Sequence, residues 1–304
     1  RPPDYERRTT KSCFGYSGQQ FRILKSLTGT PVAVYGEGPV SYLGLHGWGA
    51  DHRTFAPLEP FLPSNIQLLC PDFPGCGGLA PPREWTIDCV IEETARTLKE
   101  QSLVDPPTII GSCLGAVFAL EMLQLGVIST QRLVIIDPLI FFPMYLRVFL
   151  LGKFGKGAYR ASMETGVGRI MANLISRTNR SSDVDMTASL KDIDHDSAYC
   201  YLKMMTDLPN PQRYSSLELA VDIIYGEETF RFARKSSKAL KAIWEHANEH
   251  QVPKASHLPI IEQTEFTARL IFGDNAVGQS GTENSFSRQP ELRNTSTTRP
   301  FPNA

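Results

Sequence analysis

Thr108-Ile109-Ile110-Gly111-Ser112-Cys113-Leu114-Gly115-Ala116 is the stretch on which the reading of the whole chain turns. β-favouring residues run into G-x-C-x-G, and an apolar segment with helical character follows from Leu114 to about Leu125. A strand that passes directly into a helix needs a sharp turn, and small residues two positions either side of the central one permit it. Such a turn pushes the central side chain out above the sheet. Here that side chain is a thiol, Cys113, at a helix N-terminus whose partial positive charge favours the thiolate. The N–H of Leu114 is expected to face an oxyanion forming beside the sulfur. The competing role is a buried cysteine on a glycine-rich turn. Ser112 lies one position off the centre, so its side chain is expected to point elsewhere.

Working outward, short apolar runs bounded by turn residues predict strands at Val32–Tyr35, Tyr42–Leu45, Ile66–Cys70, Thr108–Ile110, Leu133–Ile136, Val221–Tyr225 and Gln251–Lys254. Helices are predicted around Ile87, Val90, Ile91, Thr94 and Leu98, which recur at helical spacing, and over Leu114–Leu125, Ser237–Glu245 and Ile260–Phe272. Strands alternating with helices imply an α/β fold with a mostly parallel central sheet covered on both faces. The rhythm breaks between Asp137 and about Leu217, where the chain reads as helical and irregular. An insertion there would sit at the carboxyl edge of the sheet, where open α/β folds bind ligands. The expected organisation is an N-terminal extension over 1–20, a core of 21–137 and 218–273, a helical cap over 138–217, and a disordered polar tail over 274–304.

Composition narrows the function. The chain has 304 residues, 31 Lys+Arg against 32 Asp+Glu and a formal charge of -1, which argues against a nucleic-acid binder with its basic excess. Six cysteines in this length are too sparse for a disulfide framework, so free thiols and a cytoplasmic setting are expected. The sequence starts at Arg1 without a methionine, so a removed targeting segment is compatible with it. Leu133–Leu151 is apolar, but Asp137, Pro138, Pro143 and Arg147 interrupt it, and no transmembrane segment is expected.

Three further segments accompany the G-x-C-x-G turn in order. Leu45-His46-Gly47-Trp48-Gly49 follows one strand, Pro71-Asp72-Phe73-Pro74-Gly75-Cys76-Gly77 the next, and Ala255-Ser256-His257-Leu258-Pro259 the last. With these on the page, the chain over about 20–273 resembles the α/β-hydrolase fold superfamily, in a variant with cysteine at the nucleophile elbow. The resemblance implies a sheet of that type with a helical cap inserted after the sixth strand of the family's sheet. It makes Cys113 the nucleophile, His257 the general base, and the N–H groups of Trp48 and Leu114 the oxyanion donors. His46 is expected to contact substrate, and Phe141, Phe142 and Met144, in the apolar run Leu139–Leu151, are expected to roof the site as further substrate contacts.

The acid departs from the family's G-E-x-D arrangement. The chain reads Tyr225-Gly226-Glu227-Glu228-Thr229, with Thr229 at the Asp position. Asp137, at the end of the sixth strand, can supply the carboxylate; Glu228 can reach from one residue away; or a Cys–His pair works without an acid. Asp137 is preferred, and its competing role is a turn cap before Pro138. Cysteine at the elbow is similar to the arrangement in dienelactone hydrolases, polyhydroxyalkanoate synthases and some thioesterase domains. The resemblance thus implies a hydrolase acting on small-molecule esters, lactones or thioesters through an acyl-thioester enzyme. An acyltransferase with the same residues and a non-catalytic ligand-binding homologue are the alternatives.

Arg147–Arg180 carries seven cations against one acid, Glu164, beside the apolar run Leu139–Leu151. Such a cap suits an acyl chain on an anionic group, such as an acidic acyl carrier or a coenzyme A thioester. The competing role is a solvated face balanced by the acidic Asp183–Asp196 stretch. His246-Ala247-Asn248-Glu249-His250 matches an inverted zinc-protease pattern, but no third ligand is apparent, and Asp192, Asp194, His195 and Asp196 read as a solvated loop. No phosphate-binding or dinucleotide glycine fingerprint appears, so neither a cofactor nor a metal is expected.

Overall fold

The computed structural model describes residues 5–9, 20–25, 31–101, 106–177 and 183–273. Among the described residues, nine strands form one sheet: β1 (Tyr5–Thr9), β2 (Gln20–Lys25), β3 (Pro31–Gly36), β4 (Val40–Leu45), β5 (Gln67–Pro71), β6 (Thr108–Ser112), β7 (Arg132–Ile136), β8 (Ala220–Gly226) and β9 (Asn248–Val252). Their order is β1-β2-β3-β5-β4-β6-β7-β8-β9. The first three pairings are antiparallel, and those from β5 onward are parallel. Parallel strands in this order need crossovers, which the helices supply. The helices are α1 (Ile87–Lys99), α2 (Leu114–Gln124), α3 (Gly152–Tyr159), α4 (Gly166–Arg177), α5 (His195–Met204), α6 (Arg231–Ile243), α7 (Pro259–Glu262) and α8 (Thr264–Phe272).

Each central strand buries both faces, because alternate side chains enter different cores. Ile109, Leu133, Ile135, Val221 and Ile223 pack on the face with α1, α2 and Leu240 of α6. Ile110, Val134, Ile136 and Ile224 pack on the opposite face with Ile260 of α7 and Ala268 and Ile271 of α8. This explains why β6, β7 and β8 read as continuous apolar runs rather than alternating ones. Helix α2 lies so deep that every residue from Leu114 to Met122 is buried.

Among the described residues between β7 and β8, short helical segments including α3, α4 and α5 predominate. Within this cap, α5 is tied to the core loops: Trp48 Nε1 donates to the Ala198 carbonyl at 2.8 Å, and Tyr201 Oη to that of Pro74 at 2.8 Å. At the opposite edge of the sheet, Arg132 donates to Asp222 at 2.7 Å and to the carbonyls of Ile271 and Leu270 at 2.6 and 3.0 Å, joining β7, β8 and α8.

Several elements depart from the sequence reading. The presumed extension over 1–20 contains β1, which pairs with β2 at the sheet edge. Strand β9 is Asn248–Val252, shifted toward the N-terminus from the expected Gln251–Lys254, because Asp222–Gly226 of β8 pair with it in that register. Helix α6 starts at Arg231, six residues before the expected Ser237. The single helix expected over Ile260–Phe272 is broken at Gln263, whose φ of -139° is not helical. The tail over 274–304 lies outside the described residues.

Close approach rather than flexibility explains Gly115. A Cβ there would stand 2.1 Å from the Leu45 carbonyl oxygen and 2.4 Å from that of His46, both backbone atoms that cannot yield cheaply. Gly115→Ala is therefore expected to destabilise the fold by roughly 1–3 kcal/mol, the range for overpacking a close-packed core. Urea denaturation of this variant against the parent checks it, and an unchanged midpoint contradicts the packing account.

Candidate active site

The side chains in question converge on the carboxyl edge of the parallel strands. Trp48 follows β4, Cys113 follows β6, Asp137 follows β7, Thr229 follows β8 and His257 follows β9. Cys113 has φ 52° and ψ -115°, a left-handed conformation that costs a non-glycine residue energy. Backbone bonds hold it there. Cys113 N–H donates to the Ile136 carbonyl at 2.9 Å, and Leu139 N–H to the Cys113 carbonyl at 3.3 Å. Gly47 lies so close that a Cβ on it would stand 2.9 Å from the Cys113 Cβ.

The thiol is half-buried, and backbone N–H groups of Leu114 and Trp48 point at it. Burial pushes the thiol up to about 12, while those two N–H groups act to lower it and the nearby Asp137 raises it further. The Leu114 N–H at the helix N-terminus acts toward the thiolate as expected, but dehydration of the charged form outweighs it and favours the neutral thiol.

His257 is half-buried, and its ring packs on Phe230 and Phe232, with centroids 5.4 and 5.5 Å away. Burial drives the imidazole down to about 4, so it is neutral at neutral pH and able to accept a proton. Its Nδ1 is buried without a hydrogen-bond partner among the described residues. The loop that carries it is clamped by Glu262 of α7. One carboxylate oxygen of Glu262 accepts from Ser256 Oγ at 2.6 Å, and the other from the N–H groups of Ser256 and Leu258 at 2.6 and 3.3 Å. The clamp thus grips the residues on either side of His257. Sequence reasoning missed it, since a glutamate in the first turn of a helix carries no separate signal.

Asp137 is fully buried and has φ 44°. One carboxyl oxygen, Oδ2, accepts from the Gly226 N–H at 3.4 Å, and the other, Oδ1, has no partner among the described residues. Burial raises this carboxyl well above the usual range, with Thr229 and the Gly226 N–H opposing the rise. The Thr229 hydroxyl therefore lies against the carboxyl, although neither reaches close hydrogen-bond geometry and Thr229 Oγ1 is itself buried without a partner among the described residues. Asp137 thus lies beside the turn after β8 on which the sequence has Thr229 at the family's Asp position, entering from the neighbouring strand. Glu228 lies on the same turn, its N–H bonded to the Ala255 carbonyl at 2.8 Å.

Two expected substrate contacts need correction. His46 is fully buried, with both ring nitrogens occupied: Nε2 accepts from the Phe73 N–H at 3.1 Å, so Nδ1 carries the proton and donates to the Gly47 carbonyl at 3.0 Å. It joins the loops after β4 and β5 and has no nitrogen left for a ligand. Met144 is 66% exposed and does not roof the site. Its neighbour Tyr145 is close enough for the Cys113 charge to affect its phenol, and its ring lies 6.5 Å from that of Phe232. Tyr145 therefore connects the thiol side of the site to the His257 side. Phe141 and Phe142 are half-buried and pack against the core, with the Lys235 ammonium 4.5 Å from the Phe141 ring centroid.

The metal-like sequence patterns have structural roles. His246 Nε2 bonds the Leu219 carbonyl at 3.0 Å, and His250 Nε2 bonds Asp222 at 3.3 Å. Asp194 caps α5, and Asp196 pairs with Lys156 at 2.9 Å and Arg160 at 3.2 Å. Asp51, His52 and Asp72 are the one group among the described residues with metal-compatible spacing. Their atoms are engaged with each other and with Arg53, including His52 Nδ1 to Asp72 at 2.8 Å and Arg53 to Asp51 at 2.6 Å.

The fold is shared with many solved structures. An esterase from Exiguobacterium antarcticum superposes with a TM-score of 0.67 at 13% identity, covering 82% of this chain and 97% of that one. An esterase from Thermogutta terrifontis gives 0.64 at 14% identity, over 88% and 96%. Among curated proteins, the pimeloyl-[acyl-carrier protein] methyl ester esterase of Aromatoleum aromaticum is 30% identical over 95 residues, 30% of this chain and 34% of that protein. The enzyme of that name from Legionella pneumophila is 32% identical over 88 residues, 29% and 33%. The chain thus spans about a third of the length of the curated relatives it matches. The model of the alpha/beta hydrolase family matches residues 43–270, from within β4 to within α8, and the chain belongs to that family.

Proposed function

We propose that the protein is an ester hydrolase in which Cys113 is the nucleophile and His257 its general base. The observation that carries this is the aim of two backbone N–H groups, those of Leu114 and Trp48, at the side chain on the strained elbow. In this mechanism His257 takes the proton from Sγ as Sγ bonds to the acyl carbon, and the carbonyl oxygen becomes an oxyanion held by those N–H groups. Collapse breaks the bond to the alcohol, which leaves with the proton from the imidazolium. Water, deprotonated by His257, then attacks the thioester, releasing the acid and restoring the thiol. Because thiol and imidazole are both held neutral, proton transfer accompanies attack rather than preceding it.

Asp137 is the carboxyl we assign to His257. It is buried, its charge affects the Cys113 thiol, and its unpartnered Oδ1 complements the unpartnered Nδ1 of the ring. The substrate proposed is a small or amphiphilic ester rather than one on an acidic carrier or coenzyme A. Of the cap cations, Lys156 and Arg160 are paired with Asp196, and Lys191 lies 3.5 Å from Asp185. That leaves less positive charge for an anionic carrier than the composition of the segment suggests.

Cys113→Ala and His257→Ala are each expected to lower kcat/KM on p-nitrophenyl butyrate by about a thousandfold or more, with the fold intact. Retained turnover in Cys113→Ala overturns the assignment. Mass spectrometry of the parent after brief mixing with substrate should show an acyl adduct on the peptide bearing Cys113. Asp137→Asn should lose more activity than Glu228→Gln; the reverse order moves the acid to Glu228.

The pH dependence has a definite sign. With the imidazole lowered to about 4, the base stays unprotonated through mildly acidic solution, so the acid limb of kcat/KM should fall near pH 4 rather than in the usual imidazole range. Alkylation of Cys113 by iodoacetamide should be slow at neutral pH and still rising where a free thiol has levelled off, toward 12. A plateau below neutral pH would show a preformed thiolate and remove the neutral-pair mechanism.

A further inference from the structure

Three aromatic rings from two parts of the chain meet on the His257 side of the candidate site. Phe230 follows β8 and Phe232 lies in the first turn of α6, and their rings stack with centroids 5.4 Å apart and planes 16° from parallel. Both pack on the imidazole, at 5.4 and 5.5 Å. Tyr145 comes from the cap, and its ring lies 6.5 Å from that of Phe232. Phe230 and Phe232 are half-buried and Tyr145 is 62% exposed, so each ring keeps surface that the protein leaves uncovered. Burial first and the Cys113 charge second push the Tyr145 phenol up to about 12, so its hydroxyl is within electrostatic reach of the sulfur.

Chemistry gives this cluster a direction. A base that returns its proton to a departing alcohol must come within hydrogen-bond reach of the alcohol oxygen, about 3 Å. The carbon chain on that oxygen then runs beside whatever surrounds the imidazole, while the acyl chain leaves the carbonyl on its other side. Around the imidazole stand Phe230 and Phe232, with Tyr145 continuing the aromatic wall toward the cap. Aromatic faces attract a further ring in offset or edge-on contact beyond the effect of the area covered. A saturated ring of equal size covers as much area and is more apolar, but it has no such face. Holding the imidazole in place accounts for Phe230 and Phe232, whereas Tyr145 carries the wall on from Phe232 toward the sulfur.

We propose that the alcohol half of the substrate is aromatic, an arylalkyl or phenolic alcohol whose ring packs against Phe230, Phe232 and Tyr145. This rests on the reading of Cys113 as nucleophile and His257 as base. The three rings determine specificity: they touch the leaving group and not the reacting carbonyl. Because the acyl chain lies on the other side of that carbonyl, the preference belongs to one half of the ester alone.

Matched esters test the proposal: phenethyl butyrate against cyclohexylethyl butyrate, which differ only in the ring. The parent's kcat/KM is expected to favour the phenyl ester by about two- to tenfold, and the ratio to fall to about one or below in Phe232→Leu and in Tyr145→Leu. With the rings moved to the acyl half, as ethyl phenylacetate against ethyl cyclohexylacetate, both variants should keep the parent's ratio. A merely structural role for the three rings lowers phenethyl and cyclohexylethyl esters alike and keeps their ratio, and that result overturns the proposal, as does a parent ratio of one or less. A second measurement needs no turnover. The phenylpropyl and cyclohexylpropyl methyl ketones carry a methylene in place of the ester oxygen and cannot be cleaved. Calorimetric titration of Cys113→Ala should show the phenyl ketone binding about two- to tenfold more tightly, and the preference should vanish when Phe232→Leu is added. Should the parent cleave none of the esters while the ketones keep this preference, the catalytic reading falls and the aromatic subsite stands. Ketones bound equally, or the cyclohexyl one more tightly, remove the subsite.

Discussion

A non-glycine residue in a left-handed conformation is stable only where its surroundings allow no alternative, and at Cys113 they come from four directions. The Ile136 carbonyl takes its N–H, its own carbonyl receives Leu139, and Gly47 and Gly115 let the loop after β4 press against it. The cost of such a conformation is of order 1–3 kcal/mol, borne by the packing of β6 and α2 in the core. The same constraint fixes the direction of the Leu114 N–H, because that group is the first of α2. Trp48 is fixed in turn through Gly47 on the inner side and the Ala198 carbonyl of the cap on the outer. Geometry at the sulfur is therefore a property of the whole sheet edge rather than of one loop.

Burial sets the electrostatics of this edge. It lifts the Cys113 thiol, depresses the His257 imidazole and lifts the Asp137 carboxyl, and in each case it is the largest influence. Each shift favours the uncharged form of its group. A preformed thiolate–imidazolium pair, often expected of a Cys–His site, is disfavoured here. On the proposed mechanism the thiol then behaves as a hydroxyl does, giving up its proton only as the new bond forms. The Glu262 clamp fits that requirement, since a neutral base gains nothing from charge attraction and depends on its position.

Much of the edge was legible because glycine and apolar periodicity carry the relevant physics. Gly111 and Gly115 mark close backbone contacts, and β6, β7 and β8 are buried on both faces, so each left an unmistakable pattern. Asp137 was legible as a candidate from its place after a strand. Elements without such patterns were hidden. β1 is an edge strand of mixed sequence, Tyr-Glu-Arg-Arg-Thr, whose identity comes from pairing with β2 alone. β9, Asn-Glu-His-Gln-Val, is polar except at its end, so its first three residues carry no strand pattern and the sequence points to Gln251–Lys254 instead. His46 and Met144 failed for a different reason. Their residue types suit a site, but only the fold determines that one is enclosed with both nitrogens bonded and the other faces solvent.

The cap combines two opposite kinds of packing, and the combination bears on how the site is reached. Its α5 is bonded to the loops after β4 and β5, so it cannot move without disturbing the Trp48 N–H. Its α4 is not anchored in that way and exposes an apolar stripe, Val167, Ile170, Met171 and Leu174. Local stability follows buried apolar contact, so the first motions of the cap should fall on α4 and the segment around Tyr145 rather than on α5. Such motion would admit water, and water would weaken the dehydration that keeps thiol and imidazole neutral. On the proposed Cys113–His257 mechanism, an apolar acyl chain beneath α4 would preserve that dehydration while the segment shifts, giving access to an ester without access to water.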